Sequence, residues 1–395
     1  MKNLAVAIDF GTSKIVTFVA ESGSYHRCDI IGASTVSYDG FMDGYWNAPD
    51  LVDQAIRTSV AEAEAKAHRR IRDVYIGVPG EFCRVYVTEA QVHLQGADPR
   101  VTPADVESVF KQATDDIMPI HGVIVHRSPA WFAVDEGKKT MEPIGVKGSA
   151  LRALVSFVVA DEFFLSDISR RMRQLGMTVN GFFSSSVGQA LLYLPPDERD
   201  RVSVLIDVGH LCTEIMAVEG DALVFQKVIP IGGGHITADL AFGLEVNMDI
   251  AEQVKRAYSF DTAGQNVGAS GTSTNRVAEG YPHDKVAPVL EPRVDELCEF
   301  IKDALDHSGV HLDSWSNIYL TGGGLAMING GRAYLSAQLD RTVRAPAPKA
   351  AKFNSPVYSS ALGLIDLVFG SLEAQEEAQG VFDKTAMFFR NLLKG

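Results

Sequence analysis

An Asp-x-Gly turn set between two apolar, β-branched runs occurs twice in this chain, and few folds have a place for such a pair. The first copy is Ile8-Asp9-Phe10-Gly11-Thr12-Ser13-Lys14, entered from Leu4–Ile8. The second is Ile206-Asp207-Val208-Gly209-His210-Leu211-Cys212-Thr213, entered from Val202–Ile206. Each reads as strand, tight turn, strand. Glycine lets backbone N–H groups converge on one spot, where phosphate oxygens can be held. An aspartate just before the turn suits the Mg²⁺ that accompanies a nucleotide. Two such hairpins facing each other would hold a triphosphate from both sides. For either copy alone, a purely structural hairpin is the plain alternative.

The chain around them is long enough, at 395 residues, for roughly two to four domains. A hydrophobic content of 46% supports a packed core. The net charge of −14 excludes broad nucleic-acid binding, which leaves a basic footprint. Cys28, Cys83, Cys212 and Cys298 are scattered in neither a metal nor a disulfide spacing, which points to a reducing compartment. Asp9 interrupts any signal-peptide core, and no run of about 18 uncharged apolar residues is present. The expectation is a cytoplasmic protein with no membrane span.

Strands and helices alternate over most of the length, the pattern of an α/β architecture. Ala48–Arg70 reads as a helix and Val74–Val78 as a buried strand. From about Phe82 to Ala160 the pattern changes to strand, helix and strands: Val85–Val92, a helix opened by Thr102-Pro103-Ala104-Asp105, and Leu151–Val159. This block reads as a small inserted α+β unit. Leu165–Leu175 and Val187–Leu194 are further helices. The second half repeats the plan of the first, with helices over Thr237–Tyr258 and Arg293–His307. Ser259–Pro288 reads as a mobile loop and the acidic Ser371–Gly380 as a linker.

Three glycine turns in this order say more than any one of them. Asp9, Gly11, Thr12, Ser13 and Lys14 suit one side of a β,γ-phosphate, and Asp207 and Gly209 the other. Gly322, Gly323 and Gly324 follow the strand Ile318–Thr321 and let a backbone approach an adenine or ribose. Gly232, Gly233 and Gly234 run into a helix whose N-terminal dipole favours anions. No Gly-x-x-x-x-Gly-Lys-Ser/Thr loop is present, which excludes a P-loop protein.

These motifs resemble those of the actin/Hsp70 superfamily and, within it, the FtsA family of bacterial cell-division proteins. Ile8–Ile15 looks like the family's first phosphate loop. Gly233–Ala241 with Ala251–Lys255 is similar to its second-half signature, and there the resemblance implies that Glu252 and Lys255 sit near the ribose and base. The plain alternative is a solvated i,i+3 pair. Leu320–Gly324 resembles the adenosine motif. Pro143-Ile144-Gly145-Val146-Lys147-Gly148 looks like the family's Pro-Val-Gly-Met-x-Gly, carried in its inserted subdomain. Gln189 sits where related ATPases place a water-positioning side chain, although a plain helix-surface glutamine is the favoured reading, so no catalytic residue is assigned firmly.

The resemblance implies an actin-like two-lobed ATPase fold with an inserted SHS2-type subdomain and a C-terminal amphipathic helix. The first-lobe core would be 1–81 and 160–200, completed by a helix at about 356–370. The insertion would be 82–159. The second-lobe core would be 201–232 and 312–355, with a smaller subdomain at 233–311 carrying the loop 259–288. A linker at 371–380 and an amphipathic helix at 381–395 would follow. ATP and Mg²⁺, the latter through Asp9 and Asp207, are the implied cofactors. Self-assembly into filaments, other division proteins and the tubulin-like FtsZ are the implied partners. Arg293 is the candidate contact for the acidic FtsZ tail peptide, against an exposed helix-start arginine as the plain alternative.

The second turn departs from the family's Asp-x-Gly-small-Gly-Thr-x-Asp. Leu211 replaces the second glycine, adding bulk and resisting positive φ, and Cys212 replaces the threonine with a poorer donor. Phosphoryl transfer depends on positioning and charge stabilisation, so ATP turnover is expected to be slow or absent. The tail shows helical periodicity: Val381, Phe382, Phe388, Phe389, Leu392 and Leu393 share one face, flanked by Lys384, Arg390 and Lys394. That face reads as an interfacial helix on the anionic inner membrane surface at the division site, or as a helix docked on protein. A pilus-assembly scaffold of the PilM type is an alternative of similar fold. A sugar kinase or chaperone-like ATPase is another, disfavoured by the insertion.

Overall fold

The computed structural model describes residues 3–23, 27–118, 120–260, 276–278, 280–347, 349 and 352–380. They divide into two compact units, one of residues 1–203, 216–226 and 360–395, the other of 204–215 and 227–359.

The first unit opens with β1 (Leu4–Phe10), β2 (Lys14–Ser22) and β3 (Cys28–Ser37), followed by the short hairpin β4 (Phe41–Met42) and β5 (Tyr45–Trp46). Helix α1 (Pro49–Ala67) and strand β6 (Asp73–Val78) come next. Pro49 supplies the first helical residue without wasting a donor, and Val52, Ala55, Ile56, Val60 and Ala63 form the buried stripe. After the inserted block come α3 (Glu162–Gln174), β10 (Thr178–Ser184) and α4 (Ser185–Tyr193). The sheet order is β10-β6-β1-β2-β3, with β1–β2–β3 antiparallel and β1, β6 and β10 parallel.

The inserted block is β7 (Cys83–His93), α2 (Pro103–Ile117), β8 (Val123–Val134) and β9 (Ala150–Ala160). Its antiparallel sheet has the order β7-β9-β8. Helix α2 begins on the expected capping box: Asp105 N–H donates to Thr102 Oγ1, and Thr102 N–H to Asp105 Oδ2. Val106, Val109, Phe110 and Ala113 pack with Phe132, Leu151, Ala153, Val155 and Phe157 in a core of the block's own.

The second sheet contains β11 (Ser203–Val208), β12 (Thr213–Glu219) and β13 (Ala222–Ile229), then β16 (Ile318–Thr321) and β17 (Val343–Arg344), in the order β13-β12-β11-β16-β17. Both sheets thus place three sequential strands beside two parallel late arrivals, which is the internal repeat expected of the chain. Helices α5 (Gly233–Gly243) and α6 (Met248–Ala257), the small pair β14 (Arg276–Ala278) and β15 (Tyr281–Pro282), α7 (His283–Asp306) and α8 (Gly331–Leu339) complete the second unit. The last helix, α9 (Ser359–Gly380), belongs mainly to the first unit.

Three expectations are corrected. The helix over 237–258 is two helices, because Asn247 caps α6 by accepting from Ile250 N–H at 2.9 Å, after Glu245 turns left-handed at φ 54°. Helix α7 starts ten residues before Arg293, inside the expected loop 259–288; the buried stripe Val286, Leu290, Val294, Leu297 and Ile301 outweighs Pro288 and Pro292. Ser371–Gly380 is not a separate linker but the end of α9. Among the described residues one helix, Pro356–Ala374, is long and apolar enough to cross a membrane, but it carries Asp366 and Glu373 and half of it is buried, so the expectation of no uncharged span stands. Leu364, Ile365, Val368 and Phe369 account for that burial. The remainder of the loop, 261–275, and the tail residues Phe382, Lys384, Phe388, Phe389, Arg390, Leu392, Leu393 and Lys394 lie outside the described residues.

Candidate functional site

In the first unit the turn between β1 and β2 is closed by Gly11 N–H donating to Lys14 O at 2.9 Å. Tyr38, just after β3, pins it by donating its hydroxyl to Gly11 O at 2.8 Å and its N–H to Ser13 O at 3.1 Å. Gly40 passes so close over Thr12 that any side chain there would overlap the Thr12 carbonyl, and its φ of 56° suits glycine alone. Thr12 is buried, and Ser13 and Lys14 are half-buried.

Asp9 is 6% exposed. Its Oδ1 accepts from Ser185 Oγ at 2.8 Å, at the start of α4, and from Ser360 Oγ at 3.0 Å, at the start of α9. Burial holds its pKa above the ordinary carboxylate value, against the two serines and the charge of Lys14. Gly77 leaves the room: a Cβ there would sit 3.1 Å from Asp9 Oδ1. Tyr38, Ser185 and Ser360 were not legible as site residues; the run Ser184-Ser185-Ser186 before α4 was the only signal, and for Tyr38 and Ser360 there was none.

Gln189 lies on α4 where Gly188 and Gly363 let α4 and α9 cross backbone to backbone. At 1% exposure it is a buried residue, which corrects the helix-surface reading.

The second unit reproduces the turn. Gly209 N–H donates to Cys212 O at 2.9 Å, the same closure that Gly11 makes with Lys14 O. Neither turn contains a residue at positive φ. Leu211 therefore causes no backbone strain, contrary to the expectation drawn from the sequence.

Three glycine segments meet behind this turn. Gly233 N–H donates to Gly209 O at 2.9 Å, Gly234 N–H to His210 O at 2.7 Å, and Gly324 N–H to Val208 O at 2.7 Å. Gly322, at φ 88°, faces Asp207; a Cβ there would overlap both the Asp207 carboxylate and the Val208 carbonyl. Gly323 lies against Val357. The His210 imidazole covers Gly234, close enough that a side chain on Gly234 would strike the ring. Gly232 N–H donates to His235 Nδ1 at 3.1 Å. The first amides of α5 are thus spent on the turn, and Gly232–Gly234 act here as packing and hydrogen-bonding spacers rather than an open anion cup. His210 was not singled out by sequence reasoning.

Glu252 and Lys255 are not the solvated pair of the plain alternative. Lys255 is 3% exposed and its Nζ reaches Glu252 Oε2 at 2.6 Å, Thr237 Oγ1 at 2.8 Å and Gly233 O at 2.9 Å. Thr237 Oγ1 donates to Glu252 Oε2 at 2.6 Å. Burial lowers the Lys255 pKa, opposed by Glu252. Glu252 stays below its ordinary value although burial raises it, because Lys255, Thr237 and Arg256 all stabilise the carboxylate. The network ties α6 to the glycine turn.

Arg293 is in the interior of α7, not at a helix start. Its Nε donates to Asp239 Oδ2 on α5 at 2.6 Å, and it also pairs with Glu296. Those two carboxylates raise its pKa, Asp239 foremost. Its charge is already engaged.

Among the described residues no cluster of three or more His, Cys, Asp or Glu could hold a metal ion. Asp9 in the first unit and Asp207 in the second are each a single carboxylate of the oxygen-donor kind that Mg²⁺ takes, since that ion keeps most of its waters.

Comparison with known proteins bears on this arrangement. The family model "Cell division protein FtsA" matches residues 204–363, and "SHS2 domain inserted in FTSA" matches 80–159. The cell division protein FtsA of Pseudomonas aeruginosa is 27% identical over 371 residues, covering 92% of this chain and 88% of that protein. Among solved structures, a PilM-PilN type IV pilus biogenesis complex aligns with a TM-score of 0.59 at 18% identity, covering 92% of this chain and 98% of that one. MreB 5 of Spiroplasma citri bound to AMPPNP aligns at 0.56 and 11% identity, covering 96% and 99%. The actin-like fold is shared with both.

Proposed function

Because the chain belongs to the FtsA family of bacterial cell-division proteins, we propose that it binds ATP with Mg²⁺, assembles with copies of itself and with other division proteins, and tethers FtsZ to the inner face of the cytoplasmic membrane through 381–395. The observation that carries the nucleotide part is the matched turn, with Gly11 N–H to Lys14 O and Gly209 N–H to Cys212 O both at 2.9 Å. Each follows an aspartate that a glycine, Gly77 or Gly322, leaves room for. A relative in fold, MreB 5, was solved with AMPPNP.

In this reading Asp9 and Asp207 would hold the Mg²⁺ of the nucleotide, which would supply charge neutralisation at the phosphates. Lys14 adds a positive charge beside Asp9. Glu252 and Lys255 border the ribose, already locked in place by Thr237. Gly322, Gly323 and Gly324 let the backbone approach the adenosine. Cys212, in place of threonine, leaves turnover weak, so the protein acts as a nucleotide-holding scaffold. Gln189 has no assigned catalytic step.

The FtsZ tail peptide would dock on the α5–α7 face. Arg293 can contact an acidic peptide only by exchanging Asp239 or Glu296 for a peptide carboxylate, so its contribution is a swap rather than a new ion pair.

The test is reconstitution on vesicles containing phosphatidylglycerol. FtsZ should co-sediment only when this chain is present, and removing residues 381–395 should abolish the recruitment. Recruitment that survives the truncation would refute the tether.

A further inference from the structure

In the first unit β1, β6 and β10 run parallel. The Asp9–Lys14 turn is at the C-terminal end of β1, so the starts of β6 and β10 lie at the opposite end. There Thr178 N–H, opening β10, donates to Arg72 O at 2.8 Å, just before β6. The end of β2 and the start of β3 share that end. Helix α9 connects the two ends. Ser360 touches Asp9 at 3.0 Å, whereas Asp366 and Glu373 pair with Arg27, the residue before β3, at 2.8 and 3.2 Å. Helix α9 therefore runs from the phosphate turn toward the remote end of the unit.

The same end of the unit carries a cluster of arginines. The segment Lys66-Ala67-His68-Arg69-Arg70-Ile71-Arg72 holds five of its seven positions as Lys, His or Arg, on a chain of net charge −14. The loop is rigid. His68 turns left-handed at φ 52° to end α1, Ile71 is buried, and Ile71 N–H donates to Glu64 Oε1 at 2.7 Å. The acids paired with the arginines lie inward and the guanidinium groups outward. Glu21 and Glu64 are 24% and 23% exposed, against 60% for Arg69 and 82% for Arg70, at loose separations of 3.8 and 3.6 Å. Arg72 and Arg173, the latter in the last turn of α3, are also exposed, and Gly176 beside them has open space around it. Asp29, Asp73 and Glu373 are exposed acids at the same end, Glu373 being paired with Arg27.

We propose that this end of the first unit is a second, folded contact with anionic lipid, in which Arg69, Arg70, Arg72 and Arg173 hold headgroup phosphates at the end toward which α9 runs. The inference rests on the membrane reading of 381–395. It adds that membrane affinity is shared with the folded unit and that the two contacts cooperate: a tail inserted in the bilayer brings the arginine rim to the surface, and the rim fixes which end of the unit faces it. A bilayer is the occupant favoured over an acidic protein segment, because the arginines share an end of the unit with the C-terminal part of α9, after which the sequence pattern of 381–395 is that of an interfacial helix.

The experiment is co-sedimentation of the full-length chain with vesicles of phosphatidylglycerol in phosphatidylcholine, and with phosphatidylcholine alone. Each basic residue near an anionic surface is worth about fivefold in partitioning. The triple variant R69Q/R70Q/R72Q should therefore lose on the order of a hundredfold on the anionic vesicles. R69K/R70K/R72K should retain binding, because a surface phosphate layer reads charge rather than bidentate geometry. K111Q/K138Q/K302Q, the same charge change at exposed lysines elsewhere, should lose far less. Equal binding by wild type and the Gln variant, or equal losses in the two Gln variants, would overturn the rim. Wild-type protein that ignores anionic vesicles altogether would overturn the membrane reading on which the rim rests.

Discussion

His126 makes the inserted block acid-labile. It lies on β8 at 8% exposure, and neither ring nitrogen has a hydrogen-bond partner. Burial alone lowers its pKa from 6.5 to about 4. Above the unfolded value the ring is neutral in both states and contributes no pH dependence. As the pH falls through 6.5 the unfolded chain takes up a proton that the folded block refuses, and stability declines until the folded ring titrates near pH 4. Each pH unit of that interval is worth about 1.4 kcal/mol, so the full loss is about 3 kcal/mol, a large fraction of a domain's stability. His126→Leu removes the titration. Near neutral pH it should be neutral or stabilising, since two buried nitrogens without partners are replaced by apolar surface. Hydrogen exchange of the β8 and β9 amides, read against pH, isolates the block from the rest of the molecule. Wild type should lose protection steeply below about pH 6 and the variant more gently, the gap widening by about 3 kcal/mol toward pH 4. Parallel curves for the two proteins would refute the burial argument.

Asp9 must ionise to face a cation, and burial makes that harder; the affinity for Mg-ATP, measured by calorimetry, should therefore fall as the pH is lowered, beginning above the ordinary carboxylate range, and Asp9→Asn should flatten the dependence. Lys255→Met leaves Glu252 with Thr237 and Arg256, so chemical unfolding should register a loss of about 1–3 kcal/mol, below the usual cost of breaking a buried pair. Gly322→Ala forces a side chain into positive φ against the Val208 carbonyl, and should cost at least about 2 kcal/mol and abolish nucleotide binding. Leu211→Gly should gain no nucleotide affinity and lose about 1 kcal/mol of stability, whereas Cys212→Thr should raise ATP turnover, read by phosphate release.

Much of the architecture was legible because it repeats. The Asp-x-Gly turns and the order of strands after each are written in β-branched runs and glycines, and the Thr102 capping box marked α2 to the residue. What was not legible depends on tertiary packing. Helix α7 overruns Pro288 and Pro292 because a buried apolar stripe favours the helix more than two missing donors oppose it. Ser371–Gly380 reads as polar linker but continues a helix whose preceding turns are buried. At the site, the aspartates and glycines announced themselves by spacing. Tyr38, Ser360 and His210 did not, because each reaches its turn from a distant stretch of sequence or across a turn of backbone.

The two turns also separate what backbone geometry does from what side chains do. Their closing hydrogen bonds are the same length and neither needs a left-handed residue, so the departures at Leu211 and Cys212 leave the frame of the second turn intact. What changes is the chemistry presented on that frame. A thiol stands where the family has a hydroxyl. An imidazole covers the first amides of α5, which are already committed to Gly209 O and His210 O. A site altered by strain would be expected to lose binding and turnover together. A site altered only in its side chains can keep a nucleotide while hydrolysing it poorly, because binding draws on the whole cradle and phosphoryl transfer on a few well-placed donors. That asymmetry is what the proposed nucleotide-holding scaffold would require, with the first turn its expected phosphate contact.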